Sequence, residues 1–481
     1  MTRGTGRRPR LRRPRRCYDL DTMANDDDKS PASSSSTGAD SKPTSSRFAR
    51  FARMSGLTAG VTARHLGQKM AGVFQNDEQK KSGEKAAQQK SAAQITKTLG
   101  ELKGAAMKIG QMMATDPELL PPDMIEQIST LQHSAPAMSF HAVTEVVEAA
   151  LGTPLSSAFS SFSPEPIGAA SIGQVHRATT IDGVDVAVKV QYPGIADTIR
   201  SDMKNLGSLL AMMRVQLPKE RVDGYVDEFT RVIEQESDYL READNLERFV
   251  VLLGKIPGVR VPYPVHELTK KNLLVMQYLD GTRLETWLHD APAEQKSAQG
   301  ARLIEIFLQS VHRNQVLHAD PHPGNFLVLD KEPLVDGAPP LGILDAGCVR
   351  EYDAAFTDGL IGFMAAMWRH DLDALKTAWT KIGFIDHDLD PELIYEWNEL
   401  VLAPLLKNED FDFANWKVQH ELTSFMLANP RMKMFSPPRE VLFYLRTLVG
   451  LRGLLAKTGT KVNVYKIARA MAEERGVLKK R

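Results

Sequence analysis

The chain is poor in cysteine, since Cys17 and Cys348 are the only two in its 481 residues. Two cysteines this far apart argue against a disulfide framework, and they are too few for the cysteine ligand set of a structural zinc ion. We therefore expect the protein to work in a reducing compartment.

The chain also lacks an excess of charge of one sign, with 60 Lys and Arg against 60 Asp and Glu. A balanced charge gives no overall field that would steer the protein to nucleic acid. No apolar run of 18 or more residues is free of charge, and the run at 441–455 contains two arginines. We therefore expect neither a membrane-spanning helix nor a nucleic acid partner.

The N-terminal part changes composition twice. Eight of the first sixteen residues are arginine, and residues 26–46 are acidic and rich in Ser and Pro. Such segments bury too little apolar surface to order themselves, so residues 1–46 are predicted to be a disordered tail. Residues 47–70 alternate arginine with apolar side chains, which suits either a membrane surface or a helix packed on the protein.

Helical spacing then dominates up to about residue 158, where a helical extension is predicted to end. Residues 166–190, "PIGAASIGQVHRATTIDGVDVAVKV", are rich in β-branched side chains, and Asp182-Gly183 is a strong hairpin signal. In the following strand, Val184, Val186, Val188 and Val190 should share the apolar face and leave Lys189 on the other. An α+β fold is expected, with a sheet-bearing lobe at 159–281 and a helical lobe at 282–456, followed by a C-terminal helix or tail at 457–481. The helical lobe is expected to contain two short strands that flank "DGAPP" (336–340).

The hairpin carries a pattern typical of a loop that covers nucleotide phosphates. Glycine positions of the kinase motif G-x-G-x-x-G-x-V fall on Gly168, Ala170 and Gly173, and its valine falls on Val175. Alanine at the middle position adds a Cβ where the backbone would approach the phosphates. Lys189 follows at the spacing of a lysine that holds the α and β phosphates. The predicted nucleotide-binding residues are Gly168, Ala169, Ala170, Ser171, Gly173, Val175, Lys189, Gln277 and Leu279.

One helix is predicted over residues 226–249, and it places an acid on its apolar stripe. The stripe comprises Phe229, Ile233, Glu236, Leu240 and Ala243. A carboxylate there needs a cation, and Lys108, which shares a helix face with Gln111, is the candidate partner for Glu236. Glu242, further along, is placed to orient Lys189.

The stretch "HADPHPGN" admits two interpretations. Asp320 and Asn325 have the Asp-x-x-x-x-Asn spacing of a phosphotransfer loop, in which Asp orients the nucleophile and Asn binds Mg²⁺, and Asp345 after a short strand fits a second Mg²⁺ ligand. A zinc site would instead use His318, Asp320 and His322. The loop spacing favours Mg²⁺ with a nucleoside triphosphate, and His318 is then expected to hydrogen-bond within the loop.

Taken together, these motifs resemble the UbiB/AarF family of atypical kinase-like proteins. The resemblance adds a Lys-x-Gly-Gln motif in "GAAMKIGQMM" and the acidic motif "ESDYLREADN". The residues that carry these two motifs are Lys108, Gly110, Gln111, Glu236, Asp238, Glu242 and Asn245.

The resemblance implies a bilobal protein-kinase-like fold whose N-terminal helical extension, at 47–158, lies across the site where a protein substrate would dock. Its regulatory residues would be Lys108, Gly110, Gln111, Glu236 and Asp238. It implies an ATP- and Mg²⁺-dependent ATPase or a small-molecule or lipid kinase that supports isoprenoid-quinone metabolism. The implied catalytic residues are Asp320, Lys189 and Glu242, and the implied metal ligands are Asn325 and Asp345.

The resemblance also implies partners and a location. The partners would be a nucleotide, a lipid or quinone precursor at a peripheral membrane surface, and quinone-biosynthesis proteins. The protein would be cytoplasmic, or in the mitochondrial matrix of a eukaryote.

Two departures from the family pattern stand out. Gly168 replaces the first of three alanines in the loop, which adds backbone freedom, and Ala346 replaces the phenylalanine that usually follows the metal-binding aspartate. We expect weaker packing around Asp345 as a result.

Two other functions remain open. An aminoglycoside- or choline-kinase-like phosphotransferase shares the Asp-x-x-x-x-Asn loop, although the Lys-x-Gly-Gln helix argues against it. A non-catalytic scaffold gated by nucleotide would keep the same residues without turnover.

Overall fold

The computed structural model describes residues 137–170, 172–195, 219–384, 390–416, 418–429 and 438–478. The strands in these residues are, in chain order, β1 (Phe159–Phe162), β2 (Gly168–Ala170), β3 (Gly173–Thr180), β4 (Asp185–Gln191), β5 (Val259–Arg260), β6 (Leu273–Gln277), β7 (Thr282–Arg283), β8 (Val316–His318), β9 (Phe326–Val328), β10 (Leu341–Ile343), β11 (Val349–Glu351), β12 (Phe411–Asp412) and β13 (Lys461–Val462).

The α-helices of the same ranges are α1 (Phe140–Leu151), α2 (Leu155–Ala158), α3 (Lys219–Glu236), α4 (Tyr239–Leu253), α5 (Leu284–Asp290), α6 (Ala293–Leu308), α7 (Ala354–Arg369), α8 (Leu372–Ile382), α9 (Pro391–Val401), α10 (Ala403–Leu406), α11 (Val418–Ala428), α12 (Arg439–Thr458) and α13 (Val464–Glu474). A short π-helical turn, Gln309–Arg313, follows α6, and a 3₁₀ turn, Pro323–Asn325, precedes β9. The predicted mixture of helices and strands is confirmed.

A five-stranded antiparallel sheet occupies the first half of the described chain, with the order β1-β3-β4-β6 and β2 paired to β3. The predicted turn at Asp182-Gly183 joins β3 to β4, and Gly183 has the positive φ of 80° that glycine tolerates. Three valines of β4, at 186, 188 and 190, are fully buried against Val143 and Val147 of α1. Val184, predicted to join them, precedes the strand and is exposed.

The opposite face of this sheet belongs to a second and larger core. Ala187 of β4 and Met276 of β6 pack there with Leu246 of α4 and with helices from the second half of the chain. Lys189 lies on this face because side chains alternate along a strand. The lysine is therefore held between the sheet and α4, and only 7% of the residue is exposed.

Short strands in the second half of the described chain hold two loops side by side. One small sheet has the order β5-β10-β9-β7, and a separate pair joins β8 to β11. The loop after β8 enters β9, and the loop after β10 enters β11, so both begin and end in paired strands. The sequence predicted the strands around "DGAPP", which are β9 and β10. It did not predict β7, β8 or β11, because strands of two or three residues carry no measurable alternation.

The single helix predicted over residues 226–249 is wrong. The structure has two helices, α3 and α4, separated at Ser237-Asp238. The Asp238 carboxylate accepts hydrogen bonds from the backbone N–H groups of Leu240 and Arg241, so it caps the new helix. The change of direction also exposes 46% of Leu240, which was predicted to lie on the apolar stripe.

Residues 1–136 lie outside the described part of the chain. The predictions made for the tail, for most of the extension and for Lys108, Gly110 and Gln111 therefore stay predictions, as do the domain boundaries. Within the described residues, no helix combines the length and the apolar character needed to cross a membrane.

Candidate functional site

The centre of the candidate site is an ammonium group between two carboxylates. Lys189 Nζ of β4 donates to Glu242 Oε1 and Oε2 of α4 at 2.8 and 2.9 Å. It also donates to Asp345 Oδ2, in the loop after β10, at 3.1 Å. The predicted contact between Lys189 and Glu242 is present. Three elements that are distant in sequence therefore meet at one cation.

The three groups differ in their access to solvent. The Lys189 and Glu242 side chains are 9% and 1% exposed, whereas the Asp345 side chain is 30% exposed. The lysine and Glu242 thus form a buried pair, and Asp345 is the member of the cluster that is most exposed to solvent.

Burial and charge act in opposite directions on these groups. Burial disfavours the charged form of Lys189, but the carboxylates of Asp345 and Glu242 outweigh it and raise the pKa of the lysine well above its usual range. Burial raises the pKa of Glu242 to about 7, although Lys189 acts to lower it. The lysine is therefore a permanent cation near neutral pH, while the charge of Glu242 is sensitive to pH.

The loop that carries Asp345 is held by hydrogen bonds on several sides. The backbone N–H of Gly347 donates to Asp345 Oδ1 at 2.8 Å, and His318 Nε2 contacts the carbonyl oxygen of Asp345 at 2.8 Å. Asn245 Nδ2 of α4 donates to the carbonyl oxygen of Ala346 at 2.9 Å. Ala346 itself is fully buried. These contacts fix the loop without the phenylalanine ring that the family pattern would place at 346.

The loop that contains Asp320 and Asn325 is joined to the Asp345 loop. Asn325 Nδ2 donates to the carbonyl oxygen of Asp320 at 3.0 Å, which closes the loop on itself. The N–H of Leu344 donates to the carbonyl oxygen of Asn325 at 2.9 Å. The N–H of Ala319 reaches the carbonyl of Cys348, also at 2.9 Å. The two loops therefore form one connected surface.

The histidines of the alternative zinc site make other contacts. His318 Nε2 is taken by the carbonyl of Asp345, which is a contact between loops rather than the contact within one loop that the sequence predicted. His322 Nδ1 accepts the N–H of Gly324 at 3.1 Å. Over the described ranges no group of three His, Cys, Asp or Glu side chains is arranged to hold a metal ion. These histidine contacts disfavour the zinc interpretation.

The glycine- and alanine-containing hairpin β2–β3 stands beside this cluster. Ala170 pairs with Gly173, so the strands are joined by two residues, Ser171 and Ile172. A Cβ on Gly173 would lie 2.3 Å from the carbonyl oxygen of Val190 and 3.0 Å from the Tyr239 hydroxyl. Glycine is therefore required at 173 by close approach of neighbouring atoms. Ser171 lies outside the described residues.

At Gly168 a neighbouring side chain, rather than the backbone, takes the space that a Cβ would need. A Cβ at this position would lie 2.5 Å from Nη2 of Arg283, so the guanidinium group occupies the space of the missing side chain. Nη1 of the same arginine is 4.0 Å from where a Cβ on Gly324 would be. Arg283 therefore spans from the hairpin to the loop that contains Asn325.

Gln277 and Leu279 lie where β6 leaves the sheet. The backbone N–H of Gln277 donates to the carbonyl oxygen of Tyr263 at 2.8 Å. The Leu279 side chain packs over Gly342 of β10, where a Cβ would lie 3.0 Å from Leu279 Cδ1. Among the described residues no backbone carbonyl accepts the N–H of Leu279. This segment links the five-stranded sheet to β7 and the second half of the chain.

Comparison with known proteins identifies the family. The ABC1 atypical kinase-like domain matches residues 130–379, which is more than half of the chain. The chain belongs to the ABC1 atypical kinase-like family.

Individual relatives agree with this assignment. "Atypical kinase coq-8, mitochondrial" of Caenorhabditis elegans is 29% identical over 86% of this chain and 54% of the relative. "Protein ACTIVITY OF BC1 COMPLEX KINASE 3, chloroplastic" of Arabidopsis thaliana is 31% identical over 78% of this chain and 52% of the relative. The chain thus spans about half the length of these curated relatives.

A solved structure supports the fold. Rv3197 of Mycobacterium tuberculosis, determined in complex with erythromycin, is 28% identical and has a TM-score of 0.58, over 80% of this chain and 95% of its own. The predicted kinase-like fold is confirmed, and the resemblance to atypical kinases that the sequence showed is confirmed with it.

In this ABC1 kinase-like chain, the structure also describes two acidic residues of the motif "ESDYLREADN" that were assigned a regulatory role, Glu236 and Asp238. Glu236, at the end of α3, is buried, and its Cγ lies 3.4 Å from where a Cβ on Gly347 would be. Asp238 caps α4. The pair between Lys108 and Glu236 stays a prediction because Lys108 lies outside the described residues.

Sequence reasoning missed two contributors to the site, Tyr239 and Arg283, and gave a third, His318, a different partner. Tyr239 is fully buried, and its ring centroid is 5.0 Å from Lys189 Nζ, which favours the cation. His318 anchors the Asp345 carbonyl, and Arg283 packs on Gly168. Helical spacing could have indicated Tyr239, because it lies three residues before Glu242 on the same face of α4. Nothing local in the sequence distinguishes Arg283 from a surface residue.

The donor set fits Mg²⁺ better than a softer metal. Asp345 supplies a partly exposed carboxylate, and Asn325, whose amide nitrogen is bonded to Asp320, keeps an amide oxygen as a donor. Mg²⁺ takes oxygen ligands and is usually bound through one or two protein groups together with substrate phosphates. A cluster of three acidic or histidine ligands is therefore not needed.

Proposed function

We propose that this chain is an ATP- and Mg²⁺-dependent enzyme of the atypical kinase type, an ATPase or a kinase of a small molecule or lipid, that supports isoprenoid-quinone metabolism. The observation that carries the proposal is the cluster of Lys189 with Glu242 and Asp345. A buried lysine that is held by one carboxylate and touches a second, more exposed one is what a phosphate-binding site next to a metal ligand requires.

The other residues of the site have complementary roles in this proposal. Lys189 binds the α and β phosphates, and Glu242 holds the lysine in position. Asn325 and Asp345 would hold Mg²⁺, which supplies positive charge to the phosphates when it is bound. Asp320 orients the acceptor and takes its proton.

The remaining residues of the proposed site would contact the nucleotide base and cover the phosphates. The N–H of Leu279 and the backbone of Gln277 are proposed to contact the base at the link between the two halves of the site. The hairpin residues 168–175 would cover the phosphates. The close approach at Gly173 brings the hairpin backbone near Tyr239, which itself touches Lys189.

The extension is assigned a regulatory role. We propose that Lys108 pairs with Glu236 and that Gly110 and Gln111 bring this part of the chain to the cleft, with Asp238 fixing the start of α4. Glu236 is buried beside Gly347, so a cation that paired with it would lie next to the Asp345 loop. An extension anchored there would shield the γ-phosphate from a protein substrate and leave water or a small molecule as the acceptor.

The quinone pathway, the lipid partner and the location rest on resemblance. The matched relatives are described as mitochondrial and chloroplastic. We propose the same kind of setting for this chain, with a peripheral contact to a membrane and to quinone-biosynthesis proteins.

The decisive experiment measures phosphate release from radiolabelled ATP by the full chain with Mg²⁺. It is run alone, with anionic liposomes, and with a phenolic quinone precursor. Asp345→Asn is the test variant, and Asp373→Asn, an exposed acid in the first turn of α8, is the matched control. Release that needs Mg²⁺ and Asp345 but not Asp373 supports the proposal. Equal release by both variants refutes the assignment of the site.

The same assay separates the two alternatives. A labelled small-molecule product would identify a phosphotransferase of the aminoglycoside- or choline-kinase type, and the similarity to Rv3197, solved with erythromycin, makes that the second candidate. Binding of ATP with no release and no product would identify a nucleotide-gated scaffold.

A further inference from the structure

A polar cavity of about 320 Å³ lies beside helix α4, and the residues assigned to the nucleotide are not among its described lining residues. It is bounded by α3, α4, β11 and α12. The described side chains around it include three arginines, Arg231, Arg241 and Arg350, and two glutamates, Glu351 and Glu440. Cavities of this size take small molecules, so its volume exceeds what a single bound water needs.

The charge around this cavity, which we call the arginine pocket, favours an anion. Glu351 forms an ion pair with Arg248, which is not among the lining residues. The lining therefore holds three arginines and two glutamates, and one of these glutamates is paired with a cation outside the pocket. Guanidinium groups bind phosphate through two parallel hydrogen bonds, which makes a phosphate-bearing ligand the best chemical match.

Packing and hydrogen bonds hold the wall of the arginine pocket in place. Arg350 is only 7% exposed, and its guanidinium carbon is 4.0 Å above the ring centroid of Phe443. The Tyr352 hydroxyl donates to the carbonyl of Glu440 at 3.3 Å. The aromatic rings of Phe443 and Tyr352 give one side an apolar surface, so the ligand can carry an apolar body.

The pocket is connected to the Lys189 cluster through two elements. Arg241 precedes Glu242 on α4, and Asn245 of the same helix lines the pocket and donates to the carbonyl of Ala346. Arg350 belongs to β11, whose partner strand β8 carries His318, the anchor of the Asp345 carbonyl. An anion held by both arginines would join the helix of Glu242 to the strand that follows Asp345.

We propose that the arginine pocket binds a small phosphomonoester and that its occupancy stabilises the arrangement of Glu242 and Asp345 around Lys189. Binding to the pocket does not depend on the proposed function. The coupling to nucleotide affinity does.

The test uses phenyl phosphate as the probe, because it combines a phosphate with an aromatic body. Phenyl phosphate is titrated calorimetrically into the full chain in the presence of Mg²⁺ and a saturating non-hydrolysable ATP analogue. We expect one site, with affinity at least about tenfold lower in Arg241→Gln and in Arg350→Gln, since each removes a charge-assisted bond. Arg260→Gln, an exposed arginine paired with Glu332, is the matched control and should not change the affinity.

If the variant Arg350→Gln does not fold because Arg350 is buried, the variant Arg241→Gln alone provides the test, since Arg241 is exposed on α4. No binding of phenyl phosphate, or binding that Arg241→Gln leaves unchanged, overturns the proposed site. Reciprocal titration of the ATP analogue tests the coupling: phenyl phosphate should raise its affinity by about fivefold or more in the unsubstituted protein, and not in Arg241→Gln. An unchanged affinity in the unsubstituted protein overturns the coupling.

Discussion

Replacing Glu242 by glutamine should destabilise the protein strongly at pH 8. The substitution keeps the size of the side chain and removes the charge that faces Lys189 at 2.8 Å. Removing one partner of a buried ion pair costs about 3–5 kcal/mol, because the remaining charge stays buried. Asp345 still contacts Lys189, so the lower end, about 3 kcal/mol in the free energy of unfolding, is expected.

The raised pKa of Glu242 leads to an expected pH dependence of this effect. Because burial raises this pKa to about 7 in the folded state, ionising the carboxyl costs the folded protein more than the unfolded chain. Its own contribution to stability therefore falls as the pH rises from about 4.5 to about 7. Glutamine does not titrate, so the substitution removes this pH-dependent contribution and should cost more at pH 6 than at pH 8.

The assay is urea unfolding followed by circular dichroism at both pH values. Asp185→Asn is the matched control, since it breaks the exposed pair with Arg177 in the same sheet and should cost less than about 1 kcal/mol. The double variant Lys189→Met with Glu242→Gln removes both charges and should be more stable than Glu242→Gln alone. A cost within 1 kcal/mol of the control, or a double variant equal to the sum of its parts, would refute the reasoning.

Three further outcomes are expected. Asp345→Asn should lower Mg²⁺-dependent ATP turnover by about 100-fold or more while the circular dichroism spectrum is unchanged, and undiminished turnover would contradict the metal assignment. Turnover should rise between pH 6 and pH 8 as Glu242 loses its proton, and Glu242→Gln should remove that rise; a profile of the same shape in both proteins would contradict the assignment. Gly173→Ala should lower stability by about 1–3 kcal/mol, because its Cβ would lie 2.3 Å from the Val190 carbonyl, whereas Gly453→Ala, with open space around it, should not; equal melting temperatures for the two would show that the hairpin relaxes freely.

The site was more predictable from sequence than the path of the chain. Lys189, Glu242 and Asp345 could be placed because each belongs to a short motif whose element type is fixed locally by alternation, helical spacing or a strand end. Their meeting point followed from the order of the motifs. The same order gave the fold, since a hairpin with a lysine, a helix with a glutamate and a loop with Asp320 and Asn325 seldom occur together by chance.

What the sequence did not show depends on distant contacts. The break between α3 and α4 has no proline or glycine to mark it, and only the capping bonds to Asp238 reveal it. The contact of His318 with the Asp345 carbonyl joins two loops, whereas sequence reasoning assigned the histidine to its own loop. Strands as short as β8 and β11 form because they pair with each other and because the loops next to them are joined by hydrogen bonds. The intrinsic preference of their residues for an extended backbone is not what determines them.

The contact between Gly168 and Arg283 restricts which side chains the two positions can hold together. The guanidinium group fills the volume that a methyl group at 168 would need, so a relative with alanine there cannot keep an arginine in the same place. Changes at the two sites should therefore occur together during evolution, with the glycine accompanied by a long cation and the alanine by a shorter or redirected side chain. A single replacement at either site would leave an overlap or a gap between the hairpin and the loop that contains Asn325.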